Sequence, residues 1–224
     1  IDAKVQLFSS TDRELKSGDR VHISYGSAQA ICKAVLLDKD ILSAGEEAYV
    51  QFRFDEPIAV RRNDRFIIRF YSPTITFGGG IVLEAEAVKH KRNHQEVIDS
   101  LHIKELGTDP EILEQELKEE SRYFPTAPVM AVRLNWANQE TEDKLDALVK
   151  GKKAIRLSDG SFIHKDYWNI ITQYGTELLN QFHKENPISD GMEKEEFKSR
   201  IQEQFHLKDS KKADVLLNEM IKRS

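Results

Sequence analysis

The sequence predicts a multi-domain chain in which a small closed antiparallel β-barrel precedes α+β winged-helix domains. Three observations predict it. Up to about residue 87 the apolar residues recur with period two; after Val88 they recur with the period of a helix; later, two helical stretches lead into two short apolar runs around an Asp-Gly turn. The expected domains are 1–87, 88–165 and 166–224.

In the first stretch Val50, Phe52 and Phe54 alternate with Gln51 and Arg53, which puts apolar and polar side chains on opposite faces of one strand. Similar runs fall at 3–8, 20–24, 28–37, 65–71 and 80–85. They are separated by turn chemistry such as Ser17-Gly18-Asp19 and Arg62-Asn63-Asp64. About six short strands at that spacing suit a small closed barrel.

The period then changes. Val97, Ile98 and Leu101 form one helical stripe, and Ile112, Leu113 and Leu117 form another, so a domain boundary is expected near 86–91. Asp109-Pro110-Glu111 reads as a helix start, with Asp109 as N-cap and Pro110 at the first helical position. Pro125 and Pro128 break the pattern. A short helix is expected from Ala127 to about Trp136, a second over 139–150, and then a hairpin of 154–157 and 161–164 closed by Ser158-Asp159-Gly160. Helix, helix and hairpin is the order of a winged helix, and the hairpin is its wing. Residues 166–184 form a long amphipathic helix with Trp168, Ile171, Tyr174, Leu178 and Phe182 on one face. Helices over 193–205 and from a cap at Ser210 to Arg223 read as the start of a second winged helix.

Composition narrows the function classes. The chain has 224 residues, 39% hydrophobic and 32% charged, which excludes a disordered or fibrous protein. No apolar run approaches the roughly 20 residues a membrane helix needs, so no membrane partner is expected. The start Ile1-Asp2-Ala3-Lys4 carries neither Met nor a signal region and reads as a fragment of a longer polypeptide. A single cysteine, Cys32, leaves no thiolate pair for a metal and favours a reducing, cytoplasmic setting. The formal charge of -5 is spread evenly, with 11 basic and 13 acidic residues in 1–88, so any nucleic-acid contact must be local.

No catalytic constellation stands out, and no metal site is expected. The segment Gly151-Lys152-Lys153 fails as a phosphate loop because Asp146 occupies the place of the first glycine and Lys153 that of the hydroxyl residue. His90 and His94, four apart, could share a helix face as metal ligands, but a basic connector is the plainer reading. Gly78-Gly79-Gly80 beside a strand leaves the backbone bare, which signals either a bulge at a barrel corner or a close approach by another backbone, protein or RNA. Two basic clusters, Lys89, Lys91 and Arg92 at the connector and Lys150, Lys152 and Lys153 before the wing, are candidate phosphate contacts.

The run Glu56-Pro57-Ile58-Ala59-Val60-Arg61-Arg62-Asn63-Asp64-Arg65-Phe66-Ile67-Ile68-Arg69 resembles the third-domain signature of the elongation factor Tu superfamily. Its continuation, Arg69-Phe70-Tyr71-Ser72-Pro73 and Thr74-Ile75-Thr76-Phe77-Gly78-Gly79-Gly80-Ile81-Val82-Leu83, resembles that of the bacterial selenocysteine-specific elongation factors, with Phe77 a departure before the glycines. Val21-His22-Ile23-Ser24-Tyr25-Gly26-Ser27-Ala28, Val35-Leu36-Leu37-Asp38 and, downstream, Phe182-His183-Lys184-Glu185-Asn186-Pro187, Gly191-Met192 and Glu196-Phe197 are similar to further elements of the same family in the same order.

The resemblance implies a barrel that contacts tRNA and winged helices that form an arm toward an mRNA hairpin. The parent factor delivers selenocysteyl-tRNA to the ribosome at recoded UGA codons. It implies tRNA contacts at Arg69, Thr76, Gly78, Gly79 and Gly80. It also implies that this segment is no enzyme and holds no cofactor, the GTP and Mg belonging to a GTPase domain elsewhere in the parent, and that hairpin recognition lies mainly in a winged helix beyond this one. A different class remains: a DNA-binding transcription regulator with a β-barrel sensor. Its recognition helix should be basic, and 129–136 offers only Arg133.

Overall fold

The computed structural model describes residues 1–189 and 191–223. The chain forms two compact units, Ile1–Ile112 with Ala131–Trp136, and a second made of 113–130 and the residues from 137 onward.

The first unit is built on a closed barrel. Its strands are β1 (Asp2–Leu7), β3 (Arg20–Tyr25), β4 (Ala28–Leu36), β6 (Glu47–Phe54), β7 (Arg65–Phe70) and β8 (Thr76–Glu84), joined in the order β1-β6-β4-β3-β7-β8. Every pairing is antiparallel. The period-two pattern predicts this well, because inward residues such as Val21, Ile23, Phe52, Ile68 and Phe77 are almost fully buried. The turns are also as read: the Lys16 N–H donates to Asp19 and the Arg61 N–H to Asp64, both at 2.8 Å, and Asn63 takes φ 71° between them. Strand β8 begins four residues earlier than expected. A second small sheet of β2 (Leu15–Lys16) and β5 (Ile41–Leu42) was not foreseen, since two residues are too few for a periodic signal.

The compact units divide the chain differently from the domains 1–87, 88–165 and 166–224, and packing explains why. Helix α1 (Gln95–Leu106) lays Leu101 into an apolar cluster with Val35, Leu37, Tyr49 and Leu83 of the barrel. Its last turn adds polar anchors. The Tyr49 hydroxyl donates to Glu105 at 2.5 Å, Lys104 pairs with Glu84 at 2.7 Å, and Arg62 donates to the Lys104 carbonyl at 2.8 Å. Burial, then the hydrogen bond and negative field of Glu105, push the Tyr49 phenol well above its ordinary pKa.

Helix α2 (Asp109–Glu120) corrects the expected cap. Asp109 is already helical, and Thr108 is the capping residue, donating from its N–H (2.8 Å) and hydroxyl (2.7 Å) to Glu111. A 3-10 turn, Ser121–Tyr123, leads to α3 (Ala127–Leu134) and α4 (Asn138–Lys150), then to the hairpin of β9 (Ala154–Arg156) and β10 (Phe162–His164). Thr126 bridges Ser161, adding the short third edge of a winged-helix sheet.

In the second unit the hairpin, α5 (Lys165–Glu185), α6 (Lys194–Gln204) and α7 (Ser210–Arg223) share one core of Ile155, Ile163, Trp168, Ile171, Phe197 and Leu216. Gly175 permits the close crossing: a Cβ there would lie 2.6 Å from Met220 Cε and 3.1 Å from Phe197 Cζ. The expected cap at Ser210 moves by one residue, since Asp209 accepts the Lys211 N–H at 2.9 Å.

Candidate nucleic-acid interface

Strand alternation sorts the barrel into a core and an outer face. On β3 and β7 the inward Val21, Ile23, Phe66 and Ile68 leave His22, Ser24, Arg65, Ile67 and Arg69 turned outward. The register then joins residues far apart in sequence. Arg69 stands opposite His22 on one side and Thr76 on the other, and donates from Nε to the Thr76 hydroxyl at 3.1 Å. Tyr71, 53% exposed, stacks on His22 with centroids 5.5 Å apart and planes 10° from parallel. Lys33 and Arg65 are exposed on the same outer surface. Among the described residues, no carboxylate pairs with Lys33, Arg65 or Arg69. Sequence reasoning missed His22, Tyr71, Lys33 and Arg65; only the pairing register gathers them.

The three glycines answer to one of the alternatives their bareness suggests, the close approach of another stretch of protein backbone. They lie inside β8, between β1 and β7. A Cβ would sit 2.5 Å from the Gln6 carbonyl at Gly78, 2.7 Å from the Phe66 carbonyl at Gly79, and against the Lys4 carbonyl and Phe66 ring at Gly80. The backbone that approaches closely is the barrel's own. Bare backbone at these positions therefore carries no argument for RNA, and a bulky residue at Gly79 would disrupt the barrel before it reported on binding.

One member of the connector cluster is tied down. Arg92 donates to the Leu36 and Lys39 carbonyls at 3.0 and 3.1 Å and pairs with Asp40. Buried Gln51 donates to Asp2 and to the Val88 carbonyl, each at 2.8 Å, while Arg53 donates to the His90 carbonyl at 3.0 Å. His90 lies 3.0 Å from Asp2, and both it and His94 precede the first residue of α1, so the two do not share a helix face as metal ligands. Lys89 and Lys91 remain exposed. In the second cluster Lys153 pairs with Glu114 at 2.6 Å, whereas Lys150 and Lys152 are exposed without an ion pair among the described residues.

The helix directly before the wing is α4, not the 129–136 stretch in which a recognition helix was sought. It carries Glu140, Glu142, Asp143 and Asp146 against Lys144 and Lys150. The one cation on β9, Arg156, binds Glu142 at 2.9 Å and Asp146 at 3.1 Å. An acidic recognition position does not favour reading a DNA duplex.

A closed barrel with unpaired cations on its outer face, followed by winged-helix architecture whose wing-proximal helix is acidic, defines the class by its fold. Residues 2–89 match the family model described as the selenocysteine-specific elongation factor β-barrel domain, and residues 176–224 match that of the elongation factor SelB winged helix. The selenocysteine-specific elongation factor of Desulfomicrobium baculatum is 26% identical over 209 residues, 92% of this chain and 33% of that protein. The crystal structure of bacterial selenocysteine-specific elongation factor EF-Sec matches with a TM-score of 0.65 at 17% identity, over 99% of this chain and 31% of the other. Over 2–89 and 176–224 the chain is thus similar to domains of the selenocysteine-specific elongation factors, and it spans about a third of the length of these relatives.

Proposed function

We propose that this chain is the tRNA-facing barrel and the adjoining arm of a factor that brings selenocysteyl-tRNA to the ribosome at recoded UGA codons. GTP hydrolysis with its Mg, and most recognition of the selenocysteine-insertion mRNA hairpin, belong to other parts of the same protein. The setting is cytoplasmic; no helix among the described residues is long and apolar enough to cross a membrane.

The observation that carries the reading is the row His22, Arg69 and Thr76 with Tyr71, Lys33 and Arg65 beside it on the matched barrel. Cations without carboxylate partners suit a phosphate backbone, because each can replace a counterion condensed on the nucleic acid without first breaking a pair within the protein. The hydroxyl of Thr76 and the ring of Tyr71 suit the ribose edge of an RNA. Lys89, Lys91, Lys150 and Lys152 are the remaining exposed phosphate candidates, while Arg92 and Lys153 are already held by protein.

The test is binding of selenocysteyl-tRNA by the full-length factor carrying Arg65→Ala or Arg69→Ala. Each should weaken binding and lower the slope of log affinity against log salt by about one. Unchanged affinity and slope in both variants would sink the assignment.

A further inference from the structure

We propose that the β9–β10 turn is a docking socket for α7, which fixes the second winged-helix module to the first, and that it does not serve as a nucleic-acid-reading wing. The proposal rests on the arm role given above and names the joint that makes the arm stiff.

The turn is organised before the lysine arrives. The Leu157 N–H donates to the Ser161 carbonyl at 2.8 Å, the Gly160 N–H to the Leu157 carbonyl at 3.0 Å, and Gly160 takes φ 81°. Ser161 donates from its N–H (3.2 Å) and hydroxyl (2.7 Å) to one oxygen of Asp159, leaving the other oxygen for a cation. Lys212, near the start of α7, fills that place. Its ammonium pairs with Asp159, donates to the Ser161 hydroxyl at 3.0 Å and lies 5.0 Å from the centroid of Phe124. A carboxylate, a hydroxyl and a π face thus surround one ammonium.

Apolar contacts continue the joint. Tyr167 of α5 meets Phe124 and Phe205 edge-on at 6.1 and 6.0 Å, and Tyr174 meets Phe205 at 5.7 Å. The glycine crossing at Gly175 lets α6 and α7 lie close against α5. The turn itself, Ser158-Asp159-Gly160, offers no cation to a phosphate, and its one charge is negative.

Two measurements on the full-length factor test this. Lys212→Met keeps the aliphatic stem and removes the charge, and Asp159→Asn removes its partner. Amide exchange in the 157–161 turn and the first turn of α7 should speed up roughly three- to tenfold in either variant, the size expected of one partly shielded ion pair. Lys212→Arg should retain protection. Unchanged exchange in both charge-removing variants overturns the joint. The second readout is RNA affinity against salt, with a selenocysteine-insertion hairpin as probe. The Lys212→Met slope should equal that of the unaltered factor; a slope lower by about one identifies Lys212 as a phosphate contact and also overturns the proposal. Exchange decides the joint even if the factor binds no RNA, in which case the proposed function fails by itself.

Discussion

The outer face of β3 and β7 and the β9–β10 hairpin are both antiparallel ladders with cations at or beside them, yet they treat those cations in opposite ways. The barrel face leaves Lys33, Arg65 and Arg69 without carboxylates, whereas the hairpin engages Arg156 and Lys212 with Glu142, Asp146 and Asp159. A cation already paired must break that pair to meet a phosphate, so its contribution to RNA binding is small. The proposed binding surface and the proposed joint divide along this difference.

The largest expected effect breaks the barrel side of the comparison. Gly79→Val forces a side chain onto the Phe66 carbonyl, and the overpacking of paired strands should destabilise the barrel by about 3 kcal/mol or more. Cys32 reports it. Burial pushes its pKa up to about 12, so the thiol should resist alkylation at mildly alkaline pH until the barrel opens. Rapid alkylation in Gly79→Val with an intact helical unit is the expected result; a protected thiol and full stability would show that β8 tolerates a side chain there.

Leu101→Ala comes next. It removes the apolar anchor of α1 from the Val35, Leu37, Tyr49 and Leu83 cluster and should cost about 2–4 kcal/mol in thermal or denaturant unfolding of the first unit. By contrast, Arg65→Ala and Arg69→Ala should change unfolding by no more than about 0.5 kcal/mol, because these side chains support no buried contact. A large loss of stability in either would mark the cationic face as structural and erase its contrast with the hairpin.

The smallest effect concerns pH. Burial raises the Asp159 carboxyl, but hydrogen bonds from Lys212 and Ser161 outweigh it and hold its pKa below the ordinary aspartate value. A depressed folded pKa means the stabilisation is complete above the unfolded value of about 3.9 and is lost as pH falls through the folded one. Exchange in the hairpin turn should therefore be flat from neutral pH to about 5, after correction for intrinsic rates, and rise only below about 4. Because the pair is partly exposed, the change should amount to at most about 1 kcal/mol. Loss of protection already at pH 6 would place the control on another group.

Much of this was legible because the signals are local. The alternation of Val50, Phe52 and Phe54 and the stripe of Trp168, Ile171 and Tyr174 give their elements away, since burial of one face imposes its own period on the sequence. Where the reading slipped, the competing signals were equally local: Asp109 and Ser210 are good caps by type, but Thr108 with Glu111, and Asp209, hold the actual positions. The reading helix was misplaced onto 129–136 because helix order, not charge, determines which helix precedes the wing.

The sequence by itself determined the six strands, the switch to helices, the winged-helix order and, through the 56–83 run, the family resemblance. Only the tertiary structure decided which residues face one another. It made Gly78, Gly79 and Gly80 a requirement of the barrel's own strand spacing, gathered His22, Arg69, Tyr71 and Thr76 into one surface, and matched Lys212 to Asp159 across 53 residues. Such pairings depend on strand register and helix crossing, which couple distant positions, and a single sequence records no trace of which distant partners meet.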